Sequence, residues 1–161
     1  MKKIAKLISI MLAFIVVMSC VVLPASAAGE GNLTYTEYSS YAKLTKCLSG
    51  ARGVINIPST FNGLPVKVIG NGAFADCSLI TEVTIPSSVT KIGIGAFYNC
   101  SSLESLLVPA SVTSIGSSAF AGCSSLKAIT IPSNVTEIPE RAFSGCSSLA
   151  SITIPDSVTE I

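Results

Sequence analysis

The chain has 161 residues, 49% of them hydrophobic and only 12% charged, with a formal net charge of +1. Soluble domains carry about 25% charged residues, and no basic patch stands out here, so nucleic acid is an unsuitable partner. Histidine is absent, which removes the commonest general base and the commonest transition-metal ligand together.

Residues 1–28 read as a secretory signal peptide. Lys2, Lys3 and Lys6 form a basic start, Leu7–Leu23 is an apolar run, and Pro24 with Ala25-Ser26-Ala27 makes a cleavage pattern. A membrane anchor is the bland alternative, but the run is at the lower limit for a span. Val17-Met18-Ser19-Cys20 loosely imitates a lipoprotein signal, yet the residues after Cys20 stay apolar. Cleavage would remove three lysines and leave a slightly acidic chain.

Residues 29–53 form a leader and a cap. Gly29–Asn32 is short and flexible. Leu33–Leu48 is rich in Tyr and Thr, alternates in polarity and has a turn signal at Ser39-Ser40, which predicts a β-hairpin. Its expected role is to cover the open apolar end of the coil that begins at residue 54. Ser49–Gly53 reads as a turn.

From residue 54 the sequence repeats. Prolines 86, 109, 132 and 155, phenylalanines 74, 97, 120 and 143, and cysteines 77, 100, 123 and 146 each recur every 23 positions. A fixed period in the 20s marks a solenoid, whose units bury their apolar faces only by stacking. The units are 54–77, 78–100, 101–123, 124–146 and a partial 147–161. The first differs: Pro58 to Phe74 spans 16 residues where Pro86 to Phe97 spans 11. The extra residues lie around Thr60–Leu64, where Asn62-Gly63 and Pro65 signal a turn, so a protruding loop with an exposed Phe61 is expected. Ile161 falls in mid-repeat, as if the sequence were a fragment of a longer protein.

Within Leu103-x-x-Leu106-x-Val108-Pro109, Leu106 and Val108 share one parity and point inward, while Ser105 and Leu107 point outward. That is a short parallel strand ended by Pro109. Val112 and Ile115 return to the core, and Gly116 permits a turn. Ser117–Cys123 is expected to form a helical turn or short helix with Ala119 and Phe120 inward. The four phenylalanines should stack as a spine.

Leu-x-x-Leu-x-Val and Cys-x-Ser-Leu-x-x-Ile-x-Ile-Pro resemble the bacterial leucine-rich repeats of the BspA type. The matching residues include Ile131-Pro132-Ser133-Asn134-Val135-Thr136-Glu137-Ile138, Arg141-Ala142-Phe143-Ser144-Gly145-Cys146 and Ser148-Leu149, with Ile57–Val66 in the first repeat. The likeness covers about residues 54–161. It implies an α/β leucine-rich-repeat solenoid, right-handed and curved, with a parallel sheet on one face, short helical turns on the other, and the β-hairpin as its N-terminal cap. It also implies a secreted or cell-surface protein engaged in adhesion or binding. Pro139 replaces the usual Gly and Ile80 the usual Leu, which affects local turn shape rather than the fold.

Several candidate sites compete. The regularly spaced cysteines fit three readings: a ladder of buried thiols acting as small hydrophobes, disulfides between adjacent coils, or a metal site. Metal is the poorest fit, because a solenoid column holds its side chains parallel rather than convergent. Gly70-x-Gly72 and Gly93-x-Gly95 imitate a dinucleotide motif without its third glycine or its strand-to-helix context. Asn32-Leu33-Thr34, Asn99-Cys100-Ser101 and Asn134-Val135-Thr136 match the glycosylation pattern, the last two inside the repeat consensus. Asp76, Glu82, Glu104, Glu137 and Glu140 are scattered, and Ser125 with Lys127 is a weak nucleophile pairing.

The outward strand positions are the better candidates. Glu82, Thr84, Ser105, Leu107, Ala128, Thr130, Ser151 and Thr153 form a sheet surface of the kind solenoids use for binding. The competing account is that threonine simply suits strands, and the missing aromatics and arginines argue against a tight anchor there. Phe61 is the second candidate. The expected function is non-covalent binding or adhesion by an exported protein that is not an enzyme. It would need no metal or cofactor. Its partner would be a protein or other cell-surface macromolecule, with no membrane insertion once the signal is cleaved. The alternative is the N-terminal recognition region of a larger, truncated wall-anchored protein or enzyme.

Overall fold

Inward Leu, Ile and Val alternating with outward Ser and Thr build two stacked ladders per coil rather than one. The computed structural model describes residues 32–161; residues 1–28, expected to be a signal peptide, and the start of the expected leader lie outside the described residues. Eleven strands occur in chain order: β1 (Leu33–Glu37), β2 (Ala42–Cys47), β3 (Arg52–Asn56), β4 (Thr60–Phe61), β5 (Leu64–Ile69), β6 (Leu79–Thr84), β7 (Lys91–Ile92), β8 (Ser105–Leu107), β9 (Ser114–Ile115), β10 (Ala128–Thr130) and β11 (Ser151–Thr153).

The first ladder is the expected parallel one. It runs β3-β6-β8 and resumes as β10-β11. The second runs β1-β2-β5-β7-β9 and carries the Val-x-x-Ile segments of the first three coils. The hairpin β1–β2 is antiparallel and joins this second sheet, with Leu44 of β2 in parallel register with Ile69 of β5. Leu33, Ala42, Leu44 and Cys47 are buried, so the hairpin closes the end of the apolar column.

The expected helical turns are not there. Among the described residues no α-helix forms, and the arm opposite the sheets is a run of turns. Backbone handedness explains this. Gly72, Gly95, Ser118 and Arg141 have positive φ, and so do Asp76, Asn99, Gly122 and Gly145 four residues later in each coil. A left-handed residue at both ends of so short a segment breaks the run of right-handed φ and ψ that a helix requires. The backbone donors alternate instead. Ala73, Ala75 and Cys77 bond three residues back, while Gly72, Phe74 and Asp76 donate to Ile94, Ala96 and Tyr98 of the next coil.

Close stacking sets a second constraint. A Cβ on Gly93 would lie 2.5–2.7 Å from Asn71 and the Gly70 carbonyl carbon. Glycine therefore recurs where neighbouring coils touch through their backbones.

The core is one column. Phe74, Phe97 and Phe120 are fully buried, and the four rings stack at centroid distances of 4.9, 5.7 and 5.4 Å. The insert in the first repeat is not a protruding loop. β4 and β5 form a tight hairpin through Asn62 and Gly63, both at positive φ, as two-residue turns require. Asn62 Nδ2 donates to Glu37 Oε1 at 2.6 Å, and Phe61 stacks on Tyr35 at 4.4 Å. Phe61 is half-buried against the cap rather than exposed. The turn expected at Ser49–Gly53 is shorter, because β3 begins at Arg52.

Candidate binding surface

Strand parity settles which side chains reach solvent on the first sheet. Val83, Leu106 and Ile129 are buried, and the flanking Glu82, Thr84, Ser105, Leu107, Ala128 and Thr130 are exposed. Ser151 and Thr153 are exposed on β11. Register aligns them in rows. Glu82 lies beside Ser105 and Thr84 beside Leu107, while Ala128 lies beside Ser151 and Thr130 beside Thr153. Leu107 is 74% exposed, the most exposed large apolar side chain within any strand.

The face begins one strand earlier than the repeat pattern suggests. β3 pairs with β6, placing Val54 beside Glu82 and Asn56 beside Thr84. Val54 is exposed and adds a second apolar element to the row. The sequence signal for it is the match of Ile55-x-Ile57-Pro58 to Val83-x-Ile85-Pro86, which sets Val54 in the position of Glu82. Arg52 sits on the same strand, opposite Leu79, which is also exposed.

A charge pair lies just outside β8 and β10. Lys127 Nζ meets Glu104 Oε2 at 2.6 Å, both well exposed, and the ammonium holds the Glu104 carboxyl below its ordinary range. This engages Lys127 with a carboxylate rather than with Ser125. Phe61 does not join the sheet face; it belongs to the cap with Tyr35. On the turn arm, Ile94 and Tyr98 are exposed.

The four repeat cysteines form a ladder of thiols, each directed at a backbone carbonyl of the preceding coil or, for Cys77, of the hairpin. Cys100 Sγ bonds the Phe74 oxygen, Cys123 the Phe97 oxygen and Cys146 the Phe120 oxygen, each at 3.1 Å. Cys77 Sγ points at the Cys47 oxygen at 3.8 Å. The neighbouring Cys123 side chain, and then burial, push the Cys100 thiol far up. Burial, and then Cys123, push the Cys146 thiol up to about 11. Cys100 and Cys146 are thus protonated thiols rather than thiolate nucleophiles or ligands, while the hydrogen bond with Cys100 draws the Cys123 thiol down, and that with Cys47 the Cys77 thiol. Asn99 donates to Asp76 Oδ1 and Asn134 to the Ala110 oxygen, so both amides of the repeat-borne glycosylation patterns brace adjacent coils.

The profile of the BspA type leucine rich repeat region matches residues 54–161 in six copies. Among solved structures, a leucine-rich repeat protein of T. pallidum is similar at 32% identity and a TM-score of 0.77, covering 88% of this chain and 64% of its own. A leucine-rich cell surface protein of Faecalibacterium prausnitzii is similar at 31% identity and 0.63, covering 86% and 45%. A leucine-rich repeat protein of Bacteroides capillosus is similar at 30% and 0.64, covering 80% and 98%. The chain thus spans less than two thirds of the first two. No curated protein matches it. With its 23-residue period, parallel ladders and phenylalanine spine, the chain belongs to the BspA-type leucine-rich repeat family.

Proposed function

We propose that this chain is a binding module, not an enzyme, that engages a protein partner through the outward face of the first sheet. Leucine-rich repeats are in general protein-interaction modules. The observation that carries the reading is Leu107, 74% exposed on a strand whose neighbours are small and hydroxyl-bearing. An exposed leucine on an ordered sheet gains about 1.5–3 kcal/mol when fully covered. The surrounding Thr84, Ser105, Ala128 and Thr130 form a low, nearly uncharged rim, and Glu82, Ser151 and Thr153 extend it along the stack. The rigid frame loses little conformational entropy on binding.

Export to the cell surface or beyond fits the signal pattern of residues 1–28 and the likeness to a cell surface protein. Adhesion is then the natural use: several weak contacts on successive coils, summed over a rigid array.

Surface plasmon resonance against panels of extracellular matrix and cell-surface proteins tests this, with a Leu107→Glu/Thr130→Glu variant alongside. Binding lost by the variant, at an unchanged melting midpoint, supports the sheet face. Binding that survives moves the site to the Tyr35–Phe61 cap or to Ile94 and Tyr98 on the turn arm.

A further inference from the structure

Both ladders stop between the same two coils, 101–123 and 124–146. The first sheet ends at β8 and restarts at β10; the second ends at β9 and is resumed by the bridge between Glu137 and Glu160. Pro139 accounts for the second break. Gly93 and Gly116 occupy its column and donate to the Ile69 and Ile92 oxygens at 2.8 and 2.9 Å. Proline has no N–H to offer, so Ile115 receives no such bond. The neighbouring column falters too. Thr90, Thr113 and Thr159 donate to the residue one coil back at 2.9 Å, whereas Thr136 does not. In the first sheet Lys127 N reaches the Glu104 oxygen at 3.4 Å, against 2.9 Å for Glu104 to Thr81 and 3.0 Å for Ala150 to Lys127.

The turn arm is continuous across the same boundary. Ser118, Phe120 and Gly122 donate to Glu140, Ala142 and Ser144 at 2.9, 2.9 and 2.7 Å, and the Phe120 and Phe143 rings remain stacked. Across the open sides, side chains take over: the Glu104–Lys127 pair, Asn134 to Ala110 and Ser124 to Ser101. A boundary closed along one side and bridged on the others by exposed or half-exposed side chains has the construction of a hinge.

We propose that the solenoid bends at this boundary, pivoting on the turn arms of residues 118–122 and 140–144, with the Glu104–Lys127 ion pair as its latch. The blocks on either side are held by continuous ladders and move as units. The boundary cuts the outward face between Leu107 and Thr130, so bending changes the spacing of its two parts. The hinge is a property of the fold and stands whether or not that face binds a partner.

Amide hydrogen exchange by NMR on the full chain tests it. Thr136 and Lys127 should exchange about tenfold or more faster than Thr113 and Glu104, their equivalents one coil earlier. Lys127→Ala, or about 1 M salt, which screens exposed pairs, should accelerate Thr136 and Lys127 (or its replacement) and leave Thr113 and Glu104 unchanged. Pro139→Gly restores the missing donor and should slow Thr136 toward Thr113. Equal protection of Thr136 and Thr113 in the unaltered protein would overturn the hinge. Acceleration spread evenly over all four amides by Lys127→Ala would overturn the latch.

Discussion

Cys123 Sγ lies 3.1 Å from the backbone oxygen of Phe97, one coil back, and that oxygen also accepts the N–H of Cys100 in its own coil. The thiol therefore ties consecutive coils at a point where both are fully buried. Removing it in Cys123→Ala loses a hydrogen bond and opens a small void, for a cost of about 2 kcal/mol. Urea unfolding should show a lower midpoint at an unchanged slope. An unaltered midpoint would mean that the ladder of thiols is passive filling.

The phenylalanine spine is the larger element. Phe120 is fully buried between Phe97 and Phe143, at 5.7 and 5.4 Å. Phe120→Ala should destabilise by about 3–5 kcal/mol through the cavity left in a close-packed column. Phe143 is half-buried, so Phe143→Ala should cost visibly less in the same melting experiment. Equal losses would show that stacking, not burial, dominates.

The spine, the inward Leu106 and Ile129 and the outward Leu107 were legible because the 23-residue period overlays each column on its copies. Parity then fixes strand faces. The turn arm was misread because Ala119 and Phe120 bury as they would on a helix, while the left-handed residues at Ser118 and Gly122 do not share one residue type between coils. Val54 follows from the same overlay, since the match of Ile55-x-Ile57-Pro58 to Val83-x-Ile85-Pro86 sets it in the Glu82 column, and the bulge, at Thr81 of β6, lies before that stretch. Phe61 was misplaced because its partner, Tyr35, lies far away in sequence and across the cap. The second ladder left only a short signal, since β7 and β9 are two residues each.

Arg141 holds a φ of 57°, in the column where Gly72 and Gly95 hold 60° and 56°. A side chain in that region costs roughly 1–2 kcal/mol relative to glycine. Arg141 is exposed, and its only ion pair among the described residues is a 3.4 Å contact with the adjacent, equally exposed Glu140. Arg141→Gly should therefore raise stability by about 1 kcal/mol, reduced in part by the extra freedom glycine gives the unfolded chain. A lowered melting midpoint would show that Arg141 makes stabilising contacts beyond that pair.

Gly116 should tolerate no side chain. Its Cβ would fall 2.5 Å from Ile94 N and 2.6 Å from the Gly93 carbonyl carbon, both backbone atoms of the previous coil. Relief requires the coils to part, which breaks the bond from Gly116 N to the Ile92 oxygen. Gly116→Ala should destabilise by about 1–3 kcal/mol, and amide exchange at Thr113 should rise with it. Global destabilisation without that local change would place the strain elsewhere.

Alkaline pH offers a test of the thiol ladder at its accessible end. Cys146 is half-buried, and its thiol is held up at about 11 against an ordinary 9.0, first by burial and then by Cys123. The folded thiol thus keeps its proton where the unfolded one loses it. Its contribution to stability is complete below about pH 9 and fades as pH rises toward 11. Melting midpoints should fall across that window, and those of Cys146→Ala should fall less steeply, because the variant lacks the group. Parallel curves would remove Cys146 as the source. In the same pH series a disulfide reagent should label Cys146 before Cys100 or Cys123, whose thiols are fully buried and become reactive only when coils open.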